Sequence, residues 1–442
     1  MGRVNSELEG SGSRAVQKRN FLSIMGPIQP ANVTYGRVAF LNVGIMAAPR
    51  LLAILIGVGS IVSIAAAQSG SLTEIYRTGR VKLVEEVRVS DEALPRDAGF
   101  QNPRGIAIDA QGRIYVADAG AEHLKVFGPD GKFVRTIGRK GQGPGEFQGP
   151  EFVEIGSSRI FVWEAMNRRI SIFDAEGKFL ASAPFSPGSF GVFIRMRVLP
   201  DGRLIVHYER GLSSGVEDRV PDRQTHVIEL LLPDARAPRT LLEKEVKSSR
   251  LVWNPEYNAN VRVPFPYHPT LNMEVTTAGV LAVGYSEKYM LEIHSPDKGR
   301  SGAFVRPYSP IRLSEKDEQD HFGRFRMTVF KDGLKTILPK APEVILKNTE
   351  FPEKLPPYRG IIADGEGRFL VQVYVESRAT NIFDVFDPKD GFVSRITVDG
   401  ADIDHSFSVS LSNRFSSRYL WRIERDEEGY ASLVKYRLTP AR

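Results

Sequence analysis

Cysteine is absent from the 442 residues of this chain. That excludes disulfides, thiolate metal sites, a cysteine nucleophile and lipid attachment through an N-terminal cysteine. Phosphate-loop chemistry is missing too: the glycine-rich loop Gly138 to Phe147 (GRKGQGPGEF) lacks the Gly-Lys-Ser/Thr ending and reads as a turn. There is no G-x-S-x-G elbow, no H-E-x-x-H pair and no twelve-residue calcium loop. A basic excess is lacking once the leader is set aside. Residues 1–67 hold six of the 59 basic and two of the 53 acidic residues, leaving 53 against 51. A balanced chain without a basic stripe argues against a nucleic-acid partner, despite the sequence pI of about 9.3.

Long apolar runs are also scarce, with one exception. Arg50 precedes the 14 uncharged residues Leu51 to Ile64, and Ala65-Ala66-Ala67 supplies small residues suited to cleavage before Gln68. The run to Ala67 spans 17 residues, short of the roughly 20 that a transmembrane helix wants. A signal peptide over 46–67 is expected, with Met46 as the true start and residues 1–45 as a non-native or disordered extension. A periplasmic or secreted protein follows. The alternative is a chain anchored to the inner membrane by residues 51–67, the one route by which a membrane becomes a partner.

What is present is a recurring strand and turn cassette. Between Gly105 and Ile137, Ile106, Ile108, Ile114, Val116, Leu124, Phe127, Val134 and Ile137 lie in four short runs rich in β-branched and aromatic residues. Asp109 to Gly112 and Pro129-Asp130-Gly131 separate them with turn residues. Four such strands make one antiparallel sheet that must bury its faces against similar sheets. Second strands recur at Arg113, Arg159 and Arg203, spaced by 46 and 44 residues, and continue at Val280, Arg368 and Tyr419 with insertions between. The count predicts an all-β, six-bladed β-propeller of four-stranded antiparallel blades over 68–442. Val81, Leu83, Val87 and Val89 are expected to supply the outer strand that the last blade lacks. One helical insertion is predicted at about 314–332, with Ser314 as N-cap and the helix running from Glu315 to Lys331.

The run Pro103-Arg-Gly-Ile-Ala-Ile-Asp, then Gly112-Arg-Ile-Tyr-Val-Ala-Asp118, then Gly131-Lys-Phe and the loop ending Gly143-Pro-Gly-Glu-Phe147 resembles an NHL-type repeat. More narrowly, it resembles the bacterial envelope family of six-bladed β-propeller proteins, strongly over residues 99–180 and in architecture beyond. The resemblance implies a fold and an envelope location. Related rings include streptogramin-type lyases and lactone hydrolases, metal-assisted enzymes whose metal-binding residues are not matched here.

Ligands of propellers commonly sit at the channel mouth, on connections entering each inner strand and leaving each second strand. Those positions hold Arg104, Asp118, Glu164, Arg168, His207, Arg210, Tyr285, Arg359, Tyr374 and Arg378, with Glu209 beside them. Arg forks and Tyr rings suit carboxylate, sugar or peptide ligands. For Asp118 and Arg168 the competing reading is that they hold blade turns together. Asp402, Asp404 and His405 place three possible ligands in four residues, yet the alternation is that of solvated carboxylates, so no metal site and no cofactor are assigned. The expected function is a binding module for a protein, peptide or glycan on the channel face. The alternative is a metal-assisted lactone hydrolase or lyase with its site in the central channel, and a purely structural envelope role is the third.

Overall fold

The computed structural model describes residues 71–96, 98–188, 191–211, 223–231, 237–254, 259–322, 341–377, 381–400 and 412–441. The expected signal segment, the extension before it and the helix beyond residue 322 lie outside them. Among the described residues no helix is long and apolar enough to cross a membrane.

Four blades follow one another, each a four-stranded antiparallel meander. Blade one comprises Pro103–Ile108, Ile114–Asp118, His123–Phe127 and Phe133–Ile137. Blade two runs from Pro150–Gly156 to Phe179–Pro184, blade three from Val192–Val198 to Arg239–Val246, and blade four from Leu271–Val275 to Gly299–Val305. Their second strands are buried on both faces, which explains why they read as apolar runs rather than as alternation. Ile114 and Val116 enter the core shared with the last sheet, whereas Tyr115 and Ala117 enter the core shared with blade two. Ile160 and Val162 then face back, and Phe161 and Trp163 forward. Side chains two residues apart share a face, so one strand serves two cores.

The remaining strands depart from expectation. Arg80–Val89 pairs antiparallel with Ala431–Pro440, as its alternation suggests, but its first three residues also pair in parallel with Thr397–Asp399. Gly79 accepts from the Thr397 N–H at 2.9 Å, and Arg80 meets Asp399 at 2.9 Å. The result is one continuous eight-stranded sheet from Tyr358–Ala363 through Gly391–Asp399, Arg80–Val89 and Ala431–Pro440 to Asn413–Ser416. Its two halves face each other across one core, Leu370, Phe383, Val385 and Ile396 opposite Val81, Leu420, Val434 and Leu438. The six-bladed ring of the NHL-repeat family is therefore corrected: the structure has four four-stranded blades and an eight-stranded sheet folded over its own core.

The single helical insertion is corrected as well. A helix spans Leu72–Arg77, capped by a reciprocal Ser71–Glu74 box, and drives Leu72, Ile75 and Tyr76 into the core of the eight-stranded sheet. A second helical stretch covers 315–322, where Ser314 and Asp317 cap each other as predicted. A third spans Ala341–Asn348 and lies on a hairpin, Ser249–Asn254 with Ala259–Pro264, inserted between blades three and four.

At the centre, first strands of separate sheets are joined by buried charge. Arg197 of blade three donates Nε and Nη2 to Glu274 of blade four at 2.5 and 2.9 Å, and Nη1 to Glu154 of blade two at 2.8 Å. Arg195 reaches Glu274 at 2.6 Å and the Ile361 carbonyl at 3.2 Å, while Arg414 of the eight-stranded sheet pairs with Glu154. Removing one member strands its partners in low dielectric, which costs about 3–5 kcal/mol. Arg197→Met is expected to lower unfolding stability by about that amount, whereas Arg80→Ala, at an exposed pair, is expected to cost at most about 1 kcal/mol. Equal urea midpoints for the two variants would contradict this placement of the stabilising charge.

Candidate functional site

Two of the ten candidate residues, His207 and Arg359, come together, lining a cavity of about 400 Å³ beside the central charge cluster, and a third, Tyr374, stacks on Arg359. Volumes of this order suit a small organic ligand. First strands of blades three and four and of the eight-stranded sheet supply its floor: Val192, Ile194 and Arg195, then Asn272 and Met273, then Arg359 to Ile362. The inserted hairpin closes one side with Ser249, Arg262 and Pro264.

On the blade-three wall a polar chain runs inward. His207 sits opposite Arg195 in the strand register, and its Nε2 lies 3.1 Å from Nδ1 of His226 on the neighbouring strand. Nε2 of His226 is buried and 3.8 Å from the Glu209 carboxylate. Glu209 in turn accepts from Ser248 Oγ at 3.2 Å and from Arg262 of the hairpin. Burial, His226 and Arg195 push His207 well below the ordinary histidine value. Burial and Arg262 bring His226 down to about 4. Both rings are neutral near pH 7, and one donates to the other. Across the cavity, the Arg359 guanidinium lies 4.1 Å from the Tyr374 ring centre, and burial raises that phenol to about 12. Tyr374 also meets Tyr267, which contacts His321 of the 315–322 helix and Phe351, so this helix packs beside the Arg359–Tyr374 pair.

Other candidates lie elsewhere. Asp118 is fully buried, accepting from Gln101 N at 3.0 Å, Asn102 N at 2.8 Å, Ala121 N at 3.1 Å and Lys125 Nζ at 2.6 Å. Glu164 does the same in blade two, binding Gln148 N, Asn167, Arg169 and Ser171. Both hold blade turns. Arg168 occupies a left-handed turn position at φ 49°. Arg104 is exposed on the first strand of blade one. Arg210 pairs with Glu243 at the surface, and Tyr285 lies under Lys244, 4.2 Å from its ring centre. Arg378, Asp402, Asp404 and His405 lie outside the described residues.

Sequence reading missed Arg195, His226, Arg262 and Gln372 of the cavity. One signal was available. Asp118, Glu164 and Glu209 each pair with the first residue of an inner strand, Pro103, Pro150 and Val192. The third acid is thus the counterpart of two turn-holding ones, yet it binds the hairpin instead. A metal-assisted mechanism is not fitted by this donor set: among the described residues no three His, Asp or Glu side chains group to hold an ion. His207 and His226 turn facing nitrogens on each other.

A family model described as "6-bladed beta-propeller" matches residues 99–186, which are blades one and two and the turns around them. No curated protein matches the chain. Among solved structures, an exported protein from Bacteroides fragilis is similar at 11% identity and TM-score 0.43, over 81% of this chain and 95% of that one. A DUF4221 family member from Bacteroides vulgatus is similar at 10% and 0.48, over 82% and 100%. A gluconolactonase from Xanthomonas campestris is similar at 12% and 0.37, over 77% and 87%. Likenesses at this level carry no argument about chemistry.

The histidine pair makes stability depend on pH with a definite sign. Because both folded values lie below the ordinary 6.5, the unfolded chain takes up protons first as pH falls. The contribution is full above pH 6.5 and is lost toward pH 4, a window shared with His268, also held near 4. Glu274, lowered to about 2, acts only below its ordinary 4.5. Urea midpoints between pH 6.5 and 4.5 should therefore fall, and His226→Gln should flatten the slope by up to about 1.4 kcal/mol per pH unit. An unaltered slope in that variant would show that the pair does not titrate on unfolding.

Proposed function

We propose that the protein is a ligand-binding module of the bacterial envelope, periplasmic or secreted, that receives a small molecule, or the end of a peptide or glycan, in the central cavity. The observation that carries this reading is the cavity itself, enclosed by first strands of separate sheets and by an inserted hairpin that Glu209 ties down through Arg262 and Ser248. Its walls combine apolar Val192, Ile194, Pro264 and Met273 with the polar groups of Arg195, Asn272, Arg359 and Gln372. A few placed polar groups on a mainly apolar wall is the usual composition of a specific small-ligand site. The inserted hairpin lines one side of the cavity, which favours a small ligand or chain end over a broad protein face.

A second reading is favoured by the His207–His226 pair. A neutral imidazole that lines a cavity and meets a second imidazole facing a carboxylate can accept a proton, so a lactone hydrolase or lyase working by proton transfer to these residues is the enzymatic alternative. In it His207 would take a substrate proton while His226, facing Glu209, stabilises the charge that results. No step is routed through a metal, because the described donors do not fit one.

Native mass spectrometry of the protein purified gently from an envelope fraction tests both readings. The binding reading expects a retained small molecule or glycan fragment, with occupancy reduced roughly tenfold or more in Arg359→Ala, the cost of one charged hydrogen bond, at unchanged folding. Absence of any retained molecule, together with turnover of a lactone or elimination substrate that His207→Gln abolishes, would replace it with the enzymatic one.

A further inference from the structure

Among the described residues, the charges beside the cavity do not cancel. Among the described residues the central cluster contains three guanidinium groups, Arg195, Arg197 and Arg414, against two carboxylates, Glu154 and Glu274. The other ion pair at the cavity is Arg262 with Glu209. Arg195 and Arg414 share the excess, and of the two Arg195 lines the cavity. Arg197 spreads three nitrogens over both carboxylates, whereas Arg195 uses Nη1 alone for Glu274 and the Ile361 carbonyl. Its Nε and Nη2 have no protein acceptor among the described residues, and the side chain lines the cavity. Burial brings this guanidinium down to about 10, with Arg197 and Arg414 adding repulsion, while the same surroundings raise Arg197.

An incompletely compensated buried cation beside an open cavity is an anion seat. We propose that the cavity binds a small monocarboxylate, its carboxylate on Arg195 at the floor and its apolar body along Val192, Ile194 and Met273. The inference rests on the binding reading above and names the ligand class. A carboxylate suits the planar guanidinium fork and brings the one negative charge that the cluster lacks among the described residues. A phosphate dianion brings two, an amine adds to the excess, and a neutral alcohol leaves it uncompensated.

Saturation-transfer NMR on the full chain with hexanoate, hexanol, hexylamine and inorganic phosphate as probes decides the matter. Hexanoate is expected to bind roughly tenfold or more tightly than the other three, the margin of a charge-assisted bond. Arg195→Met should remove the preference, and Arg195→Lys, which keeps the charge without the fork, should retain part of it. If the Met variant does not fold, the wild-type series and the Lys variant still decide. Hexanol equal to hexanoate, hexylamine in its place, or phosphate displacing it would each overturn the proposal. If none of the four binds while envelope-purified protein still carries a retained molecule, the carboxylate seat fails and the binding reading stands. Hexanoate bound through Arg195 with no retained molecule and with His207-dependent turnover keeps the seat and removes the binding reading.

Discussion

The buried bridge of Arg197 to Glu154 and Glu274 is the constraint on which the centre of this molecule depends. Blades two, three and four contribute one partner each, and Arg414 extends the bridge to the eight-stranded sheet. Apolar packing between neighbouring sheets is non-directional and tolerates sliding. A guanidinium bonded to two carboxylates tolerates little, because any displacement leaves charge unpaired in a poor dielectric. The inner strands are therefore held at a fixed depth relative to one another. The cavity beside them inherits that rigidity, since Arg195 is two residues from Arg197 on the same strand and shares Glu274 with it.

The outer structure is fastened differently. Each pair of adjacent sheets shares one apolar core, and second strands feed two cores by alternation. Such a series must end without open edges at its termini. Here Arg80–Val89 serves that purpose by accepting partners on both sides, antiparallel on one and parallel on the other. The cost is that the strands on either side of it lose their independence and become one sheet. The capped helix Leu72–Arg77 then covers the core between that sheet's two halves.

Much of this was legible in the sequence. Strands, turns and the 46- and 44-residue spacing all follow from local chemistry, as does the pairing of Val81 to Val89 with the last strands. The fusion into an eight-stranded sheet was not legible, because it depends on three parallel pairs at a strand end, with no sequence pattern of their own. The cavity was half legible. His207 and Arg359 follow from their expected places on the connections near strand ends, but Arg195, like Arg197, Glu154 and Glu274 beside the cavity, lies in mid-strand, where a charge ordinarily means a solvated face. First strands of separate sheets meet at the centre, so residues that would face solvent elsewhere face one another here.

Glu209 shows how a structural position becomes available to a site. Its counterparts Asp118 and Glu164 are saturated by backbone amides and neighbouring cations, and a carboxylate so bound has no chemistry to spare. In blade three the partners change. The hairpin brings Arg262 and Ser248 to Glu209, and the residue two positions earlier is His207, where blades one and two have Val116 and Val162. The same backbone geometry that elsewhere closes a turn now aims a carboxylate at His226 and a neutral imidazole at the cavity. The insertion did not need to build a site from loops. It redirected an acid already positioned by the blade, and the rigidity of the strands carried over to the polar chain they display.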